Sequence, residues 1–309
     1  MTTFLYTHSA CFKHDPGRMH PENPSRLKAV LSALDAPEFK DLQHREAPLA
    51  TREQIARCHP EDYIDEVEAT EPKSGHAGID ADTAMSPGSW EAALRAAGAL
   101  CAAVDAVQAG EADNAFCAVR PPGHHAEPAR AMGFCIFNNV AIGALHAREK
   151  HGLHRIAVVD FDVHHGNGTQ AMFWNDPDLS LFSTHQSPLY PGTGNPQDRG
   201  VNNNIHNIPL PPMAGSEEFR RAMSDAVLPQ LAKFEPDFLF ISAGFDGHED
   251  DPLASLMLHE EDYDWATAQL VHVARGSCGG RVVSTLEGGY NPHALKMSTA
   301  AHVRALMQT

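Results

Sequence analysis

Residues 158–169, VVDFDVHHGNGT, put Asp160, Asp162, His164 and His165 where an apolar run should end as a buried strand. Burying such groups without compensation is strongly unfavourable. Asp160, Asp162 and His164 fall at alternate positions, so on an extended backbone they project from one face. Carboxylate oxygen and imidazole nitrogen are donors suited to Zn²⁺ or Fe²⁺. Asp162 and His164, joined by Asp246 from the run Gly244-Phe245-Asp246, offer two carboxylates and one imidazole. That set neutralises a divalent ion and leaves positions for water and a substrate oxygen. Such an ion would make the cluster tolerable. Taken alone, Asp-x-Asp-x-His also describes a solvated loop, but its coincidence with the clusters below argues for the metal.

The pair His124-His125 supplies a candidate general base and acid near neutral pH. Adjacent imidazoles hold different protonation states only if their partners differ. A carboxylate and an amide would do this, and Asp160 and Asn167 are both available. Tyr290 follows Gly288 and Gly289, which permit close backbone approach. A phenol placed there can donate a hydrogen bond to a developing oxyanion without adding charge. A tyrosine merely closing its strand is the plainer alternative.

The elements that must position these residues alternate in type. Helical spacing predicts helices over 24–34 (with Asn23 as N-cap), 86–109, 138–150, 216–234 and 262–275, and from 292 onward. Apolar runs predict strands over 114–119, 155–160, 179–184, 237–243 and 281–286. Continuous apolar strands between amphipathic helices mean a parallel sheet covered on both faces. Such sheets bind ligands at the carboxyl ends of their strands. Every polar or glycine-rich cluster follows such an end: His124-His125, Asp160–His165, His185 with the loop 186–194, Asp246, and Glu287–Tyr290.

Composition narrows the partners. Hydrophobic residues make up 42% of the 309, enough for a sizeable core. No repeat or linker divides them, so one domain over 1–309 is expected. A formal net charge of −17 argues against a general nucleic-acid or anionic-membrane binder. It suits a cationic partner such as a lysine-bearing tail or a polyamine, although many soluble enzymes are simply acidic. No apolar run approaches the ~20 residues needed to cross a bilayer, and the first residues show no secretory signal. Six scattered cysteines without a CxxC pair point to reduced thiols in a cytoplasm.

Together RPPGHHAEP (120–128), GFCIFNN (133–139), DFDVHHGNGTQ (160–170), YPGTG (190–194), GFD with DPL (244–253) and EGGY (287–290) resemble the histone deacetylase family. The likeness is closest to its class II branch and the related bacterial amidohydrolases. It runs from about His20 to Tyr290 and includes HPENPSR at 20–26. The resemblance implies a zinc-dependent amidohydrolase on the arginase–deacetylase fold, removing an acyl group, most often acetyl, from lysine. By position, Asp162, His164 and Asp246 match the zinc ligands, His125 the general base and acid, and His124 its electrostatic support. Tyr290 matches the carbonyl-polarising tyrosine, and Gly133 the carbonyl that receives the substrate N–H. Phe134 and Tyr190 match the tunnel walls. Asp160 and Ser183, with backbone oxygens of Asp162 and His164, match a structural potassium site, and Arg26 an arginine of the product-release region.

Four positions qualify the match. Asn167 stands where class I enzymes carry Asp, which leaves its histidine partner's pKa less elevated. Tyr190 stands where Phe is commoner. Position 290 is Tyr and not the His of some weakly active members. Leu253 is apolar where polyamine-selective relatives carry an acid, which tilts the expected substrate toward acyl-lysine and away from acetylpolyamine. An arginase-like ureohydrolase is disfavoured because only one Asp-x-Asp-x-His cluster is present. A silent metal-binding scaffold is disfavoured by the intact His124, His125 and Tyr290. Oligomeric state and acyl length stay open at this level.

Overall fold

A computed structural model describes residues 1–308. In chain order its strands are β1 (Thr3–Thr7), β2 (Gln43–Glu46), β3 (Ala77–Gly78), β4 (Ala84–Met85), β5 (Asn114–Cys117), β6 (Ile156–Asp160), β7 (Leu179–Gln186), β8 (Ile205–Leu210), β9 (Phe238–Ala243) and β10 (Val282–Leu286). The α-helices are α1 (Ser25–Leu34), α2 (Arg52–Ala56), α3 (Glu61–Thr70), α4 (Ser89–Gln108), α5 (Asn139–His151), α6 (Asn167–Phe173), α7 (Ser216–Ala222), α8 (Leu228–Phe234), α9 (Glu260–Cys278) and α10 (Pro292–Gln308).

Eight strands form one sheet in the order β2-β1-β5-β10-β9-β6-β7-β8, and every pairing in it is parallel. Helices α4 and α5 pack on one face; α1, α9 and α10 pack on the other. The expected parallel sheet covered on both faces is therefore what the chain builds. The five predicted strands are β5, β6, β7, β9 and β10, five of its six interior members. The other three left weaker signals. Strand β2, QHRE, is exposed throughout, β8 carries Pro209 at an edge, and β1 has only Phe4, Leu5 and Tyr6 as an apolar run. Strands β2 and β8 are the edges, where one side is unpaired and no continuous apolar run is needed. Strand β1 lies inside the sheet, and in a strand of five residues its apolar run is too short to stand out.

Two helix boundaries moved for local reasons. The segment predicted as one helix over 216–234 contains a π-helical stretch, Met223–Val227, between α7 and α8. Pro229 cannot donate to the carbonyl four residues back, and the wider turn absorbs the mismatch. Helix α4 begins at Ser89, because Gly88 takes φ 94 and the Ser89 hydroxyl accepts from the Ser86 N–H at 2.8 Å. Asn23 does not cap α1 in the standard position, although its side chain accepts from the Ser25 N–H at 3.0 Å. Asn138 does cap α5, accepting from Ala141 N–H at 3.0 Å. Strand β7 runs on to Gln186, so His185 lies inside it rather than beyond its end.

Candidate active site

Strand β6 ends at Asp160, and Asp162 and His164 follow in the loop before α6. Since β6 lies between β7 and β9, Asp160 is in register with Ser183 on one side and Ser242 on the other. Asp246 leaves the end of β9, Gly288 and Tyr290 leave the end of β10, and His124-His125 follow β5. These loops converge over the centre of the sheet.

His164 Nδ1 lies 3.1 Å from Asp162 Oδ1 and 3.1 Å from Asp246 Oδ2. A tetrahedral ion with ligands at ~2.0–2.1 Å holds its donors about 3.3 Å apart, so the set fits Zn²⁺. The outer carboxylate oxygens accept from backbone: Val163 N–H to Asp246 Oδ1 at 2.9 Å, and Gly288 N–H to Asp162 Oδ2 at 2.8 Å. Only glycine admits this approach. A Cβ on residue 288 would stand 2.0 Å from Asp246 Oδ2 and 2.6 Å from Asp162 Oδ2. Burial alone would lower the His164 pKa, but Asp162 and Asp246 outweigh it and push the imidazole up to about 10. The two carboxylates therefore favour positive charge at the point they share.

A second group of similar composition, Asp105, His146 and His151, joins α4 to α5. Its chemistry differs. His146 Nδ1 accepts from Arg57 at 2.9 Å, so the proton sits on Nε2, which faces Asp105 Oδ1 at 2.9 Å. Lys150 Nζ also reaches Asp105, at 2.8 Å. Two resident cations and a protonated Nε2 make this an ion-pair cluster.

The adjacent histidines do take unlike partners. His124 Nδ1 meets Asp160 Oδ2 at 2.9 Å, and His125 Nδ1 meets Asn167 Oδ1 at 2.8 Å. Burial opposes charge on His124, but Asp162 and Asp160 hold its pKa well above the ordinary value. Burial, with His124 and His164 adding repulsion, drives His125 well below it. The unlike surroundings thus push the two imidazoles in opposite directions, His124 toward the protonated form and His125 toward the neutral one.

A cavity of about 220 Å³ opens over these groups. Phe134, Leu189, Tyr190 and Leu253 form its apolar wall, and His125, His164 and Tyr290 also line it. The Tyr190 and His125 rings are 5.3 Å apart, and Phe134 and Tyr290 5.9 Å. Gly133 has φ 56, and a Cβ there would fall 2.3 Å from the His125 ring. Asp251 fixes the Tyr290 backbone, accepting its N–H at 2.7 Å. Arg26 lies 4.8 Å from the Tyr290 ring and donates to Gly289 O at 2.6 Å. Burial pushes the Tyr290 phenol well up, so it stays protonated and able to donate. At the expected potassium position, Asp160 Oδ1 accepts from Asp162 N–H at 3.1 Å, and Ser183 Oγ lies 2.9 Å from His185 Nδ1.

Every site residue named from sequence thus lies in this region. Sequence reasoning missed Asp82 and Leu189, which line the cavity, and Glu127, which stands behind Asn167. Asp82 follows no expected strand, so the strand-end rule had no access to it. Leu189 and Glu127 fell inside segments singled out from sequence, the loop 186–194 and the motif RPPGHHAEP, but without a role.

The family model described as "Histone deacetylase domain" matches residues 20–306. A histone deacetylase-like amidohydrolase of Pseudomonas aeruginosa is 41% identical, the match spanning 88% of this chain and 73% of that one. Histone deacetylase 14, chloroplastic, of Arabidopsis thaliana is 39% identical over 98% of this chain and 76% of its own. A probable deacetylase of Archaeoglobus fulgidus is also 39% identical, covering 94% and 82% respectively. Among solved structures, the crystal structure of the HDA15 HD domain superposes with a TM-score of 0.94 at 32% identity, covering 99% of this chain and 88% of that one.

Proposed function

Because the chain belongs to the histone deacetylase family of deacetylases and amidohydrolases, we propose that it removes acetyl, or another small acyl group, from the ε-amine of lysine in peptides or proteins. The observation that carries this reading is the apolar-walled cavity, with His125, His164 and Tyr290 among its lining. Phe134, Tyr190 and Leu253 suit the methylene stem of lysine, and Leu253 presents no charge to a second amine. Residues 1–309 form a single catalytic unit in this proposal, working in a cytoplasm.

Asp162, His164 and Asp246 would hold Zn²⁺. When bound, the ion supplies Lewis acidity to the amide carbonyl and lowers the pKa of water. The rest belongs to the chain. His125 presents a neutral Nε2 that accepts a proton from water and later returns it to the leaving amine. His124, pushed toward its protonated form by Asp162 and Asp160, would stabilise developing negative charge. Tyr290 donates its phenolic O–H to the carbonyl oxygen as charge builds there. The Gly133 carbonyl accepts the substrate N–H, and the aromatic walls exclude water. Asp160 and Ser183, with backbone oxygens of Asp162 and His164, would bind K⁺ beneath the site.

A second reading, hydrolysis of small acylated amines such as acetylpolyamines, draws support from Asp82. Its carboxylate lines the same cavity and would attract a free ammonium. Steady-state kinetics on acyl-lysine peptides of graded acyl length, beside N-acetylputrescine, separates the two. The proposal expects the higher kcat/KM on an acyl-lysine peptide. A preference for acetylputrescine would transfer the assignment to small amines, and no turnover of either by zinc-loaded protein would end both.

A further inference from the structure

The Asn167 amide meets His125 on one side and Glu127 on the other. Its Oδ1 lies 2.8 Å from His125 Nδ1, and its Nδ2 lies 2.8 Å from Glu127 Oε1. An amide can present either end to a neighbour, and neither end alone tells an imidazole where its proton belongs. A carboxylate can only accept. Around Nδ2 stand three acceptors: Glu127 Oε1, His125 O at 3.4 Å and Met132 Sδ at 3.3 Å. The N–H₂ end must therefore face Glu127, which turns the carbonyl end toward His125. A carbonyl oxygen only accepts, so His125 must carry its proton on Nδ1 and leave Nε2 bare.

We infer that Glu127 is a positioning residue which acts through Asn167 to fix the His125 tautomer needed for proton abstraction. The inference rests on the reading of His125 as the base. The surrounding backbone makes the relay rigid. Glu127 and Arg130 exchange backbone hydrogen bonds at 3.0 and 3.3 Å, and Thr169 N–H donates to His124 O at 3.2 Å. Gly168 lets α6 sit against the 125–126 peptide, since a Cβ there would come within 2.2 Å of Ala126 O. Sequence position supports the pairing chemically. Where Asn replaces an acid beside the base, the missing acceptor-only group is supplied one hydrogen bond further away.

The decisive comparison is Asn167→Asp in two backgrounds. Beside native Glu127 it sets two carboxylates against each other at an amide's hydrogen-bond distance. Combined with Glu127→Gln, the amide introduced at position 127 can donate to the carboxylate introduced at position 167, which still accepts from His125. Asn167→Asp alone should lose roughly 10- to 100-fold in kcat with zinc content intact, a loss typical of an orienting group. The pair with Glu127→Gln should recover most of it. Glu127→Ala should lower kcat more than it changes KM. In ¹⁵N-histidine-labelled, zinc-loaded protein, the His125 signal, assigned by its loss in His125→Ala, should report protonated Nδ1 in the native chain and a tautomer mixture in Glu127→Ala. Equal activity of Asn167→Asp in both backgrounds, or an unchanged His125 tautomer in Glu127→Ala, overturns the inference. The nitrogen spectrum reads out even if no acyl-amine is turned over, so failure here and failure of the proposed function are separable.

Discussion

Tyr290 can be tested as a donor rather than as a packed ring. Arg26 stands 4.8 Å from its ring and Asp251 holds its backbone N–H, and neither contact uses the hydroxyl. Tyr290→Phe should therefore keep its melting temperature and its zinc. If the hydroxyl meets the carbonyl oxygen mainly in the transition state, kcat should fall by ~10²–10³ while KM changes little. A tyrosine that only closed its strand would give the opposite pattern, with lower stability and normal turnover per folded molecule. Measuring melting temperature, zinc content and kcat on one preparation distinguishes the two.

At the scale of elements, the parallel sheet delivers the groups from the ends of four strands, β5, β6, β9 and β10, so the site depends on how tightly the strand-end loops approach one another. The β10 loop makes the closest approach. Gly288→Ala would drive a methyl group into both candidate metal carboxylates, with separations of 2.0 and 2.6 Å before relaxation. Real Cβ atoms do not come that near, so Asp162 or Asp246 must swing away. The variant should bind zinc much more weakly than native protein, approaching His164→Ala and Asp246→Ala in metal content after dialysis. Normal zinc retention in Gly288→Ala would show that the loop can retreat without disturbing the carboxylates.

For the whole molecule, buried ionisable groups make stability depend on ions and on pH. Asp160 lies fully buried between β7 and β9, and burial raises its pKa. A cation there, bound only by the folded state, raises stability by mass action. The melting temperature should rise with K⁺ and not with a bulky organic cation at equal ionic strength; equal values would remove the potassium site. The pH effect has its own sign. His302 is enclosed between Thr267 Oγ1 at 2.6 Å and Ser284 Oγ at 2.7 Å, and burial pushes it down to about 3. Burial likewise takes His59 to about 4. Unfolded histidine titrates near ~6.5, so the unfolded chain binds more protons below that value. The stability these neutral imidazoles contribute is complete above about pH 6.5 and drains away as the pH falls toward their folded values. At pH 5 each should account for roughly 2 kcal/mol. Melting temperature should drop between pH 7.5 and 5, and His302→Gln should shrink that drop while lowering the value at pH 7.5. An unchanged drop would exonerate His302.

The alternating pattern of apolar runs and amphipathic helices was enough to specify a parallel sheet covered on two faces, because burial on both sides leaves a strand no choice but to be apolar throughout. The same pattern located the site region, since charged residues clustered directly after apolar strands mark the ends where those strands stop. It could not register β2 and β8, whose exposed sides relax that demand, or the π-helical turn before Pro229. Nor could it decide which groups meet. That Asp246 reaches Asp162 across β6 and β9, that Asp82 enters the cavity, and that Glu127 aims an amide at His125 depend on contacts between segments far apart along the chain. Spacing along the chain carries periodicity. Which hydrogen-bond end faces which is decided only when the sheet has brought those segments together.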